Sequence, residues 1–272
     1  MAVQLRGGPE LACGEHGFEM TCLTNVRSVS FVLRPAMAVN QLDRNRSLVH
    51  TQTMAINRRL AATTARLLPG LRESGASGRL LEAALKLFAE RGYAGASVRD
   101  VATAAGVKAA TIYAHYPSKE HVLAELCRVG HEEQFRGVRT AVLDSGGDPR
   151  EQIVAYVRAH VDFHTTYPML AVVSNSELHV LSEELGAATF VLRRQSEALM
   201  QDIITRGMDS GHFHVRDRWL AVAAIGGMGL RVAYWFSPDY KLSAAQVAEG
   251  YAEFALRILG ADAKPDRKPA KR

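Results

Sequence analysis

The stretch Gly106-Val107-Lys108-Ala109-Ala110-Thr111-Ile112-Tyr113-Ala114-His115-Tyr116-Pro117-Ser118-Lys119-Glu120 decides the reading of this chain. Plotted at about 100° per residue, Lys108 to Tyr116 separate into two faces. Lys108, Thr111 and His115 share one face, Ala109, Ile112 and Tyr116 share the other, and Tyr113 stands at the edge of the second. The apolar face must pack on other helices. The free face carries an ammonium, a hydroxyl and an imidazole, all able to reach phosphate oxygens or base edges, on a helix slim enough for the major groove of double-stranded DNA. Pro117 stops this helix and Ser118 caps the next. There Lys119 and the free backbone N–H groups behind Ser118 would both face anions, so Lys119 reads as a phosphate clamp.

Working upstream, Leu80, Leu81, Ala84, Leu85 and Phe88 recur at helical spacing, and Gly92 closes that run as a C-cap. Ser97 with Asp100 three residues later has the form of an N-terminal cap ahead of Val98, Val101, Ala102 and Ala105, and Gly106 closes this short second helix. Three short helices of this kind make a helix-turn-helix unit. Taken singly, Lys119 reads as a solvated charge, Tyr113 as a packing ring and His115 as a structural residue. Their joint occurrence in this frame points to DNA.

The same segment resembles the TetR family of repressors, whose signature ends in T-[LIV]-Y-x-H-[FY]-x-[SN]-K-[ED]. Residues Thr111 to Glu120 match it throughout, and Ala84, Phe88, Gly92, Tyr93, Ser97, Val101, Ala102 and Gly106 extend the match over about 45 residues. By position, the resemblance implies DNA contacts from Arg99, Thr111, Tyr113, His115 and Lys119. It departs at Lys108, where the family has a small capping residue, and at Ala110, where it has glycine, proline or serine. The recognition-helix cap is therefore weaker, and Lys108 joins the candidate DNA contacts.

Downstream the pattern stays helical. Asp148-Pro149-Arg150-Glu151 opens a helix expected to about Thr165, and Tyr167-Pro168 interrupts before another from Met169 to Ser182. A longer helix is expected from Gly186 toward Asp209, ending at Gly211. Asp217 opens an apolar helix to Phe236, and Ser243 with Gln246 forms a capping box for a last helix ending at Gly260. No segment alternates as a strand does. The fold class expected is all-α: an N-terminal three-helix helix-turn-helix domain at residues 78–126, followed by a helical ligand-binding and dimerisation domain at 127–261.

Residues 1–77 show no sustained period, and nine arginines face five acids there. They read as a disordered extension, as a basic arm that adds phosphate contacts, or as the product of a start site upstream of the true one, given Met20, Met37 and Met54. Residues 262–272 read as a disordered basic tail. The net charge of +5 suits an anionic partner without locating it. Three cysteines in no C-x-x-C pairing argue against a zinc module and a disulfide scaffold, and fit a reducing cytoplasm. The apolar run from Leu220 to Phe236 is short for a bilayer span and carries Arg231, so no membrane partner is expected.

In the family the last two long helices form a four-helix bundle with a partner subunit, which the resemblance places near residues 188 to 209 and 217 to 236. A homodimer would present two recognition helices to a near-palindromic operator. A mostly apolar effector cavity is expected among the helices from about 120 to 185, with Phe135, Tyr156, Phe163, Tyr167, Met169 and Leu178 as candidate lining residues. The stretches Tyr167 to Leu178 and Trp235 to Asp239 are similar to the family's acyl-CoA-responsive branch, in which Arg193, Arg194 or Arg206 would meet CoA phosphates. Hydrophobic drugs are the other effector class, with efflux genes as targets. A metal-responsive regulator stays open through His160 and His164, one turn apart, and His212 and His214, although no cysteine or carboxylate stands evidently with them. No nucleophile elbow or phosphate loop appears, and Gly226-Gly227-Met228-Gly229 lacks the preceding strand of a dinucleotide site. Neither catalysis nor a cofactor is expected.

Overall fold

The structure is a computed structural model that describes residues 66–72 and 75–261, all within the compact unit Met54–Arg272. The expectations for residues 1–65 and for the tail 262–272 lie outside the described residues. Every regular element described is helical. A single turn, α1 (Pro69–Arg72), precedes the helix-turn-helix unit α2 (Ala76–Gly95), α3 (Val98–Ala104) and α4 (Ala109–His115). The remainder is α5 (Lys119–Asp144), α6 (Pro149–Thr166), α7 (Pro168–Ser176), a 3-10 turn at Leu178–Val180, α8 (Glu183–Asp209), α9 (Arg218–Leu230), α10 (Val232–Trp235) and α11 (Ala244–Ile258).

Two apolar cores form, and α5 runs through both. The first gathers Leu80, Leu81, Leu85 and Phe88 of α2, Val101 of α3 and Ile112 of α4 on Val122, Leu123 and Leu126 of α5 and on Met169 and Leu170 of α7. The second gathers Val138 and Val142 of α5 with Ile153 and Val157 of α6, Ile203 and Ile204 of α8, Val222 and Ile225 of α9, and Val247 and Ala252 of α11. At 1.5 Å per residue α5 is about 39 Å long, so one rigid rod ties the DNA-reading helices to the rest.

Several boundaries differ from the sequence expectations. The extension does not run to residue 77: Leu67 is buried in the first core, Leu68 and Leu71 pack against it, and α2 begins at Ala76. Three leucines around Pro69 are too few to display a helical period. The helix expected to Ser182 stops at Ser176, where Asn175 Nδ2 donates to the Ala171 carbonyl at 2.8 Å and Ser174 Oγ to the same oxygen, offering the backbone a competing partner. α8 starts at Glu183, ahead of Gly186, with Glu183 and Glu184 in its first turn facing the helix dipole favourably. The apolar helix expected to Phe236 ends at Leu230 and resumes as α10, after a run with three glycines whose helix propensity is poor.

Candidate functional site

The DNA-reading face rests on two local devices. Ser97 Oγ accepts from Asp100 N at 3.1 Å while Asp100 Oδ2 accepts from Ser97 N at 2.9 Å, the reciprocal cap that starts α3. The Ser97 hydroxyl, which donates to Asp100 Oδ2 at 2.6 Å, and after it the Ser97 N–H hold the Asp100 carboxyl below its usual range. Gly106, at φ 67°, then reverses the chain, and Val107 N closes the turn on Ala102 O at 3.0 Å. α4 follows with Lys108 at its N-cap position and no side-chain cap bond there. Ile112 turns into the first core, and Tyr116 is anchored through its hydroxyl to Ser77 Oγ at 2.7 Å. Arg99, Lys108 and His115 are exposed and Thr111 is half-buried. Tyr113 is 58% exposed, too open for a packing ring.

Lys119 is placed differently from a free phosphate clamp. Its Nζ donates to Tyr93 O at 2.8 Å and to Ala96 O at 2.9 Å, and it lies 4.0 Å from the centroid of the Tyr93 ring. Two of its three donors are thus held by the turn between α2 and α3, with a cation–π contact added. The side chain staples that turn to the first turn of α5. Its neighbour Glu120 reaches the other way: Oε1 accepts from Ser182 N at 2.8 Å, just ahead of α8, and the Ser182 bonds hold this carboxyl down. Two adjacent residues therefore join the helix-turn-helix to the loop between α7 and α8.

A cavity of about 290 Å³ lies among α5, α6, α7, α8 and α9. Of the six lining residues expected, Tyr156 and Phe163 line it. Met169 and Leu178 are instead buried in the first core with Tyr167 against it, and Phe135 packs on the second. Helical phase marked these four as inward-facing without showing which interior space they fill. Arg193 stands on the cavity wall, paired with Glu197 at 3.2 Å, whereas Arg206 is held by Asp202 and Gln152 within the subunit and Arg194 is exposed away from the wall.

The wall residues that sequence reasoning missed include apolar ones, such as Met200, Val222 and Leu230, and a polar set: His131 and Gln134 of α5, His160 and His164 of α6, Asn175 of α7 and Ser196 of α8. A signal was present, since Tyr156, His160, Phe163 and His164 share one helical face. Tyr156 Oη meets Ser196 Oγ at 2.7 Å, Ser196 Oγ donates to Gln134 Oε1 at 3.3 Å, and Gln134 Nε2 lies 3.0 Å from His160 Nδ1. An amide nitrogen only donates, so His160 Nδ1 accepts and its proton sits on Nε2. That Nε2 lies beside the Gly226 carbonyl without forming a hydrogen bond. His164 Nδ1, 2.7 Å from His160 O, donates, which leaves its Nε2 a bare acceptor with no partner. Burial and the second imidazole, 4.4 Å away, push His160 well below the ordinary histidine value; burial pushes His164 down to about 4. The same chain position explains Gly229, where a Cβ would lie 2.2 Å from His160 Cδ2.

For the metal-sensing alternative, no group of three His, Cys, Asp or Glu able to hold an ion occurs among the described residues. His212 and His214 bond instead to Ser210 Oγ at 2.8 Å and to Gly260 O at 3.2 Å. No helix among the described residues is long and apolar enough to cross a membrane.

Two family models match the chain. Residues 80–126 match the bacterial regulatory proteins of the tetR family, and residues 146–259 match the tetracyclin repressor-like C-terminal domain. A TetR-family regulatory protein from Rhodococcus RHA1, known by its crystal structure, is 31% identical and superimposes with a TM-score of 0.65 over 69% of this chain and 98% of its own. The HTH-type transcriptional repressor KstR2 of Rhodococcus jostii is 28% identical over 188 residues, which cover 67% of this chain and 92% of that protein. The HTH-type transcriptional activator FasR of Mycolicibacterium smegmatis is 29% identical over 180 residues, 65% of this chain and 80% of that protein.

Proposed function

Because the chain belongs to the TetR family of transcriptional regulators, DNA-binding proteins that act as dimers on operators and are not enzymes, we propose that it is a cytoplasmic repressor released from a near-palindromic operator by a small hydrophobic effector. The observation that carries this reading is the outward polar face of α4, with Tyr113 open to solvent above a core-anchored Ile112. Arg99, Lys108, Thr111, Tyr113 and His115 make the DNA contacts. Lys119 acts one step back, fixing the α2–α3 turn so that α3 and α4 meet the groove at a constant angle.

The effector occupies the cavity between α5 and α9, and its body is mostly apolar, of the acyl-CoA or hydrophobic-drug class. Filling the cavity moves α7 against α8, and Ser182, Glu120 and Lys119 carry that movement to the helix-turn-helix. The ligand must bind the DNA-incompetent spacing better than the competent one, since only differential affinity shifts the population. A mobility shift on the protein's own promoter, repeated with a panel of acyl-CoAs and hydrophobic drugs, tests the reading. Specific binding that one class releases supports it; absence of sequence-specific binding would overturn it.

A further inference from the structure

The polar wall of the cavity does not treat donors and acceptors alike. Ser196 gives its one hydroxyl proton to Gln134 Oε1, so the proton shared with Tyr156 Oη comes from the tyrosine, and Gln134 Nε2 donates in turn to His160 Nδ1. The chain from Tyr156 to His160 thus spends these protons within the subunit. The last proton, on His160 Nε2, faces the α9 backbone, beside the Gly226 carbonyl and 2.5 Å from where a Cβ on Gly229 would stand.

Two other imidazoles on the wall hold the opposite tautomer. His164 Nδ1 lies 2.7 Å from the His160 carbonyl and His131 Nδ1 lies 3.0 Å from the Cys127 carbonyl, and since a carbonyl oxygen only accepts, both Nδ1 atoms donate. Each bond runs to the residue four positions back, on α6 and on α5, and each leaves Nε2 of a neutral ring as a lone pair. His164 Nε2 has no hydrogen-bond partner and is screened from water, which costs free energy until a donor meets it. Both residues are buried and both line the cavity. Burial, and with it the charge of Arg193, keeps His131 below the ordinary histidine value. Arg193 stands on the same wall, so a ligand cation meets a positive field, while a ligand carboxylate meets two lone pairs. An uncharged donor suits the pair.

We propose that His131 and His164 form a hydroxyl-recognising subsite and that the effector is an uncharged, mostly apolar molecule bearing a hydroxyl, whose proton His164 Nε2 accepts while His131 supplies a second acceptor on the same wall. This rests on the reading of the cavity as the effector site and selects within it. A purely apolar body fills the same volume yet leaves the acceptors unpaired, and a site built around a hydrogen bond rejects an analogue that lacks it.

The test titrates the full chain by calorimetry at neutral pH with 4-propylphenol, 4-propylanisole, 4-propylbenzoate and 4-propylbenzylamine. They share one apolar body and present in turn a donor, an acceptor alone, an anion and a cation. The phenol should bind about tenfold or more tighter than the anisole and than either charged probe, and His164→Phe should bring phenol and anisole to parity. Because His164→Phe also removes the bond to the His160 carbonyl, a second readout uses the parent alone: the ¹⁵N signals of its pyridine-type histidine nitrogens should move upfield with the phenol and stay in place with the anisole. An anisole that binds as well as the phenol, or a preference for the anion or the cation, would overturn the hydroxyl subsite and leave the cavity as the effector site. If none of the four binds, the subsite and the reading of the cavity as the effector site fall together.

Discussion

Around α4 the polar side chains point outward and the apolar ones are consumed in the core, whereas around the cavity the polar side chains point inward. Histidine marks the contrast: His115 is exposed on the recognition helix, while His160 and His164 are buried against each other. The first arrangement suits a large polyanion met in water, where groups need reach rather than exclusion. The second suits a small ligand taken out of water, where unpaired polar groups cost enough to select for what fills them.

The contrast sharpens most under acid. His164 is held at about 4, below the ordinary 6.5, so the unfolded chain takes up that proton first. Its stability contribution is full above the unfolded value and is lost as pH falls from about 6.5 toward 4, roughly 3 kcal/mol for this group. Thermal unfolding followed by circular dichroism should show the midpoint dropping through that window, and His164→Phe should flatten the slope. An unchanged slope would mean that these imidazoles are not buried neutral.

Next in size is Lys119→Met. Losing the staple should lower stability by about 1–3 kcal/mol and weaken operator binding, yet leave the salt dependence of the remaining binding unchanged, since a residue bonded to Tyr93 and Ala96 carbonyls displaces no counterions. A reduced salt slope would return Lys119 to the phosphates. Tyr113→Ala should cost operator affinity by about 1–3 kcal/mol at constant melting temperature. Smallest is Lys108→Ala, expected to lower the salt slope by about one with little change in stability.

These differences also explain what the sequence made legible. The helix-turn-helix is local: the Ser97–Asp100 cap, the Gly106 reversal and the Ile112 phase each act within a few residues, so spacing alone reveals them. The role of Lys119 was hidden because its partners lie 23 and 26 residues back and become adjacent only when α2 packs on α5. The cavity is assembled from five helices, and inward-facing Met169, Leu178, Tyr167 and Phe135 are drawn to two cores rather than to the gap between helices. Its polar wall was within reach through the shared face of Tyr156, His160 and His164, but a histidine pair one turn apart suggests a metal before it suggests a neutral, hydrogen-bonded lining.

The most direct test of the central claim is an operator titration by fluorescence anisotropy, comparing the parent with a Tyr113→Ala, His115→Ala double variant of equal helical content. The account predicts tight, salt-sensitive binding of a near-palindromic site by the parent and its loss in the variant. Equal binding by both would contradict the assignment of α4 as the reading helix.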